Sequence, residues 1–261
     1  MSAAQRLTIP DLDGKAVLIT GASTGIGAAL ARGFAAQGAH VAIHYNASEG
    51  PAKTLAAEIA AAGGTAKLVS GDVTDPKTTR RIVNDAAAVL GKLDGLINNA
   101  GLMLGRLPIT DMSDEHFDAV VKLNSHSVLA ATQAAVPHME RAGGGFIINT
   151  TSVAARNGGG GGAILYAAAK GFVSTFTRGS AKELIGKNIR VNGVAPGLIQ
   201  TPFHDRYTNA EQMKAQLATI PQGRVGTPED CLGAYLFFAS AMLSGYIIGQ
   251  IIEVNGGQLM P

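Results

Sequence analysis

The stretch Lys15-Ala-Val-Leu-Ile-Thr-Gly-Ala-Ser-Thr-Gly-Ile-Gly27 constrains the fold of this chain more than any other. It joins residues 16–19, apolar at every position, to a segment that reads as a helix closed by Gly38. A strand with no polar alternation is one buried on both faces, as in a parallel sheet. Gly21, Gly25 and Gly27 permit a tight turn, close backbone approach by a pyrophosphate and tight helix–strand contact. The helix N-terminus after the turn offers free N–H groups and a positive dipole end to an anion. The spacing is G-x-x-x-G-x-G, not the G-x-G-x-x-G of the common dinucleotide fingerprint.

The same alternation continues along the chain. Strands are expected at 16–19, 40–44, 65–70, 95–97, 145–150, 190–194 and 248–254, with helices at 26–37, 51–62, 76–90, 114–139, 165–185 and 229–241. Strand–helix alternation implies right-handed crossovers and an α/β fold, doubly wound around a mostly parallel seven-stranded sheet. Such sheets bind ligands at the carboxyl ends of their strands. The informative residues stand there: Asp72 after the third strand, Asn98-Asn-Ala-Gly101 after the fourth, Ser152 after the fifth and Pro196-Gly197 after the sixth. With no proline- or serine-rich linker and no charge run, residues 1–261 are expected to form one domain.

Composition excludes several classes. Hydrophobic residues make up 46% and charged ones 15%, which suits a large core and not disorder. A net charge of +2 gives neither a nucleic-acid surface nor a polybasic membrane anchor. Cys231 is the single cysteine, so no intrachain disulfide forms, and its apolar neighbours mark it as an inert core residue. Residues 231–254 are apolar but interrupted by Gly233, Gly245 and Gly249, which fits a core helix and strand rather than a membrane span. No leader is recognised, and a cytoplasmic location is expected.

Tyr166 and Lys170 are four residues apart in a helical stretch, so both side chains share one face. A phenol with a pKa of about 10 is a reluctant proton carrier at neutral pH. A fixed ammonium one turn away favours phenolate and is expected to lower that value toward the range of a general acid/base. Five consecutive glycines, 158–162, separate Ser152 from Tyr166 and read as a flexible loop over the same site.

Thr20-Gly-Ala-Ser-Thr-Gly-Ile-Gly27, Asn98-Asn-Ala-Gly101, Asn124, Ser152, Tyr166-x-x-x-Lys170 and Pro196-Gly197 resemble, in this order, the motifs of the short-chain dehydrogenases/reductases. The resemblance spans residues 12–258 and implies a Rossmann-type domain, usually in a homotetramer, that transfers hydride between a nicotinamide cofactor and a carbonyl or alcohol. It implies Tyr166 as proton donor, Lys170 as its cationic partner and Ser152 as the group that orients the carbonyl. Asn124 resembles the residue holding a water that links Lys170 to solvent, with an ordinary buried Asn as the alternative. For the cofactor it implies Gly21, Ser23, Thr24, Gly25, Ile26 and Gly27 at the phosphates. It implies Tyr45, Asn46, Ser48, Asp72, Val73, Asn99, Ala100 and Gly101 around the adenosine, with helix N-capping as the alternative for Asp72. Pro196, Gly197, Ile199 and Thr201 would line the nicotinamide. Two departures are a Ser152–Tyr166 interval one residue longer than is common and Val254-Asn-Gly-Gly in place of Val-Asp-Gly-Gly.

The second strand ends in His44-Tyr45-Asn46-Ala47-Ser48 without a carboxylate, so nothing there repels a 2′-phosphate. NADP(H) is expected over NAD(H), with Asn46 and Ser48 as phosphate donors and His44 adding charge when protonated. Arg106, Arg156, His204 and Arg206 give the substrate end a polar or cationic rim, and a lid is expected near 198–220. That rim, and a resemblance to reductases of sugar-derived keto acids, point to a sugar or sugar acid as substrate. A β-ketoacyl thioester reductase and a non-catalytic nucleotide sensor are the alternatives.

Overall fold

A computed structural model describes residues 8–260, the side chains of 204–206 excepted. Seven strands form one sheet: β1 Ala16–Ile19, β2 His40–Tyr45, β3 Thr65–Ser70, β4 Gly95–Asn98, β5 Gly145–Thr150, β6 Ile189–Pro196 and β7 Ile251–Val254. Their order is β3-β2-β1-β4-β5-β6-β7, and every pair is parallel. The helices fall on both faces. α1 Gly25–Ala36, α2 Glu49–Ala61 and α10 Pro228–Ala239 pack against Val17, Ile19, Val41 and Ile43, the side chains of one sheet face. α3 Pro76–Leu90, α5 Ser127–Arg141 and α7 Ile164–Leu184 pack against Leu18, Ala42, Leu96 and Ile147 on the other. Successive side chains of a strand point to opposite faces, so a central strand with helices on both sides must be apolar throughout. β1, buried at all four positions, is that case.

Several elements differ from the sequence expectation. The helix expected at 114–139 is three pieces: α4 Asp114–Val121, a wide π turn at Lys122–His126, and α5. The expected helix 229–241 ends at Ala239. Ser240 then accepts from Leu243 N at 3.2 Å and starts the short α11 Ala241–Ser244. β7 begins at Ile251 rather than 248, because Gly249 lies at φ +70° just before it. β6 is longer than expected and closes on Pro196. Three short helices complete the chain: α6 Ala154–Asn157, α8 Pro202–Tyr207 and α9 Ala210–Leu217. Among the described residues no helix is long and apolar enough to cross a membrane.

The strand order reverses between β1 and β4, from which the chain winds outward in both directions. The turns after these two strands therefore leave the sheet on opposite sides and open a crevice at its carboxyl edge.

Candidate active site at the carboxyl edge of the sheet

One wall of the crevice is the glycine turn between β1 and α1. Gly21 and Gly25 have φ of +62° and +56°, a region that side chains resist. Gly27 is set by packing: a Cβ there would lie 2.8 Å from Ala22 Cα and 2.7 Å from Asn99 Nδ2. The turn is tied to its neighbours. Ala22 N donates to His44 O at 2.8 Å, and Gly21 N donates to His44 Nδ1 at 3.0 Å. Because Nδ1 accepts, Nε2 carries the proton and donates to Gly71 O at 3.0 Å. Thr20 Oγ1 accepts from the N–H groups of Asn99 and Ala100, each at 3.0 Å. The Asn99 amide donates to Thr20 O and Gly21 O at 2.9 and 3.1 Å. Thr24 caps α1 without a side-chain hydrogen bond, so the N–H groups of its first turn remain for a ligand.

These contacts correct the reading of His44. Its ring is buried, satisfied at both nitrogens and held neutral, because burial lowers its pKa against the opposing pull of Gly71 O and Asp72. It fastens the glycine turn to the end of β3 and supplies no charge to a phosphate. Strand periodicity carried the signal: His44 shares the inward face of Ala42 in a strand buried on both sides.

The end that holds the candidate catalytic residues is built from β5 and α7. Ser152 follows β5, and its Oγ accepts from Ala154 N at 3.1 Å. Tyr166 stands in the first turn of α7 with Lys170 one turn further on. Lys170 Nζ donates to Thr150 O at 2.8 Å and lies 5.8 Å from the centre of the Tyr166 ring. Phe203 of α8 packs on that ring at 5.5 Å, and Tyr207 packs on Phe203 at 5.4 Å. Burial pushes the Tyr166 hydroxyl up to about 12, with the neighbouring Ser152 side chain pulling the other way. Burial also pushes Lys170 down to about 8. The expected lowering of the phenol by Lys170 is thus reversed in the protein alone. The ammonium is turned onto the β5 carbonyl, and loss of water around both groups outweighs their mutual attraction.

Asn124 sits in the π turn. Its Nδ2 donates to Leu102 O and Val120 O at 2.9 and 3.0 Å, while its Oδ1 is buried without a partner in the protein. A Cβ on Gly101 would lie 2.7 Å from that oxygen and 3.1 Å from Lys170 Nζ, so the glycine keeps open a gap that both polar groups border.

A cleft of about 810 Å³ runs from the glycine turn to these residues, and every candidate residue lines it except Gly27 and Asn124. Gly27 packs behind the turn, and Asn124 stands behind Gly101 and Lys170. Asp72 accepts from Thr74 N at 2.8 Å, while the cap of α3 is Asp75, which accepts from Thr78 N at 2.9 Å. Helix capping therefore does not explain Asp72. Of the expected rim, Arg106 lines the cleft, whereas Arg156 pairs with Glu253 at 3.5 Å. The side chains of His204 and Arg206 lie outside the described residues. The glycine run is anchored rather than free: Leu107 N donates to Gly162 O at 3.1 Å, and Arg106 Nη1 donates to Gly161 O at 2.9 Å. Sequence reasoning quoted Thr20 in its motif and placed Phe203 in the lid but gave neither a role, because both act through contacts with residues distant in the chain.

A family model described as enoyl-(acyl carrier protein) reductase matches residues 21–258. The chain belongs to the short-chain dehydrogenases/reductases. Within that family it is 40% identical over 250 residues to the L-rhamnose 1-dehydrogenase (NAD(P)(+)) of a Sphingomonas species, covering 94% of this chain and 96% of that protein. It is 39% identical over 248 residues to the 3-oxoacyl-[acyl-carrier-protein] reductase FabG of Thermotoga maritima, covering 94% and 98%. The crystal structure of the NADH-dependent reductase A1-R′, responsible for alginate metabolism, superposes with a TM-score of 0.88 at 38% identity, over 97% of this chain and all (100%) of that one. This short-chain dehydrogenase/reductase is an NAD(P)-dependent oxidoreductase. Its cleft fits such a cofactor: the α1 N-terminus has no side-chain cap, and Gly21 and Gly25 present bare backbone beside it.

Proposed function

We propose that this enzyme reduces the carbonyl of a sugar-derived keto acid, or of a sugar, with Tyr166 as proton donor. The observation that carries the reading is the convergence of Tyr166, Ser152 and Lys170 in the cleft that holds the glycine turn. Held in this cleft, a nicotinamide would supply or accept the hydride. The Ser152 hydroxyl donates to the carbonyl oxygen and stabilises the negative charge that develops there. The Tyr166 hydroxyl gives its proton to that oxygen, so hydride and proton together convert the carbonyl to an alcohol. Lys170 holds positive charge beside the resulting phenolate, and the Asn124 oxygen would hold a water that links Lys170 to solvent. With its pKa pushed up to about 12 by burial, the Tyr166 hydroxyl carries its proton at neutral pH, and charge developing on the carbonyl oxygen is what would draw that proton across.

Ser23, Thr24, Gly25, Ile26 and the backbone packed by Gly27 would hold the pyrophosphate. Asp72, Val73, Asn99, Ala100 and Gly101 would flank the adenosine, and Pro196, Gly197, Ile199 and Thr201 the nicotinamide. NADP(H) is favoured over NAD(H), because Tyr45, Asn46 and Ser48 border the cleft without a carboxylate. With His44 neutral, hydrogen bonds from Asn46 and Ser48 would carry recognition of a 2′-phosphate. α8 and α9 act as a lid on a single domain, and Phe203 closes over Tyr166. The enzyme works in the cytoplasm as a homotetramer, which light scattering would refute by returning a monomer mass at micromolar concentration.

Similarity to a rhamnose dehydrogenase and to a reductase of alginate metabolism supports the sugar substrate. Similarity to FabG favours a β-ketoacyl thioester as the second reading. Measuring kcat/KM for keto-uronates, aldoses and acetoacetyl thioesters, each with NADPH and NADH, separates them. Keto-uronates with NADPH are expected to lead. Activity confined to thioesters would replace the substrate reading, and a tenfold preference for NADH would overturn that for the cofactor.

A further inference from the structure

Arg106 occupies a position that holding the loop together does not account for. It follows Leu104, at φ +59°, and Gly105, at φ +126°. A leucine in the left-handed region is uncommon, and such conformations persist where the surroundings enforce them, often at ligand sites. The guanidinium lies at the cleft, between the glycine run and α8. Arg106 Nε donates to Tyr207 O of α8 at 2.7 Å, and Nη1 donates to Gly161 O of the glycine run at 2.9 Å. Both partners are backbone carbonyls, which take two of the five N–H donors and cancel no charge. Phe203, in the same helix as Tyr207, covers the Tyr166 ring, so Arg106 and the catalytic hydroxyl lie under one lid.

The charge balance points the same way. Among the described residues lining the cleft, Asp72 is the one carboxylate, and it follows β3 at the edge of the sheet. Among the described residues, the end that holds Ser152 and Tyr166 carries Lys170 and Arg106, both cations, and no acidic side chain. Arg106 is partly desolvated, which lowers its pKa from the ordinary guanidinium range but leaves it charged at neutral pH. Arg156, by contrast, already has Glu253 as partner. A planar fork with donors left over, and with no carboxylate paired to it among the described residues, matches a carboxylate.

We infer that Arg106 receives the carboxylate of the substrate, making this enzyme selective for keto acids over neutral carbonyl compounds of the same size. The inference rests on the reading of this cleft as a carbonyl-reducing site. The carboxylate would sit between the glycine run and α8 while the carbonyl lies against Ser152 and Tyr166. Arg106 is in these terms a specificity residue, and it also joins the two walls that enclose the substrate.

The test compares wild type with Arg106→Gln and Arg106→Lys, using a keto-uronate and the neutral sugar of matching length. The readout is the ratio of kcat/KM for acid over neutral, in which any general loss from a loosened lid cancels. Gln can still donate to a carbonyl but has no charge. In Arg106→Gln the ratio is expected to fall about 10- to 100-fold, the loss of a charge-assisted pair. Lys should restore part of it. Raising ionic strength should raise KM for the acid in wild type and not in Arg106→Gln. An acid-preferring wild type whose Arg106→Gln variant keeps the preference would overturn this assignment and leave the reductase reading intact. A wild type that reduces neither compound would remove both, and one that prefers the neutral sugar would remove the assignment.

Discussion

Lys170 is a cation held almost without water, 3% exposed, on a single carbonyl. Burial lowers its pKa from 10.5 to about 8, so between these values the unfolded chain keeps a proton that the folded one has lost. Stability therefore rises with pH through that window. Tyr166 acts oppositely only above pH 10, since its folded value is the higher one. Between pH 8 and 9.5 the wild type should gain about 2 kcal/mol from Lys170, read from urea midpoints. Lys170→Met should lack this gain and lose turnover; an equal rise in the variant would show that the lysine is not the titrating group. The pairing of Tyr166 with Lys170 was legible because helical spacing alone puts them on one face. The direction of the phenol's shift was not, because Phe203, which helps to bury it, is 37 positions away in the chain (203 − 166). His44 was legible in principle from its place among the inward residues of β2, but its charge suggested a ligand before its burial suggested a fastener.

At the scale of elements, the strands were the clearest features, since an apolar run in a parallel sheet needs no partner information to recognise. Interruptions in helices were harder. The π turn at Lys122–His126 exists within residues of good helical pattern. It coincides with Asn124, whose amide bonds Val120 O and the separate loop carbonyl Leu102 O. The joint between α10 and α11 is similarly nonlocal. Arg190, 8% exposed in β6, donates to Phe238 O at 2.8 Å and Ala239 O at 2.7 Å, the last carbonyls of α10, and to Ser244 Oγ at 3.1 Å. A guanidinium at a helix C-terminus satisfies carbonyls that have no partner in the helix and opposes the dipole. Arg190→Met should cost about 2–3 kcal/mol, because it leaves those buried carbonyls unpaired. Thermal or urea unfolding checks this, and a variant as stable as wild type would show that water satisfies the helix end instead.

For the molecule as a whole, strand–helix alternation was enough to anticipate a doubly wound parallel sheet, and the reversal between β1 and β4 places a crevice where the motifs converge. What alternation does not encode is the substrate end. That end is assembled from the 102–107 loop, the glycine run and α8, which meet only through tertiary contacts such as Arg106 to Gly161 O and Tyr207 O. The cofactor half of the cleft follows a regular strand–turn–helix pattern and is correspondingly readable. In the proposed mechanism all of this architecture serves one chemical event, proton delivery from Tyr166 to a carbonyl oxygen. The most direct measurement is steady-state turnover of Tyr166→Phe alongside its cofactor affinity by fluorescence titration. Removing one hydroxyl should lower kcat by about 10²–10⁴-fold and leave the cofactor Kd within about threefold of wild type. A variant that keeps more than a tenth of the wild-type kcat would contradict the assignment of Tyr166 as the proton donor.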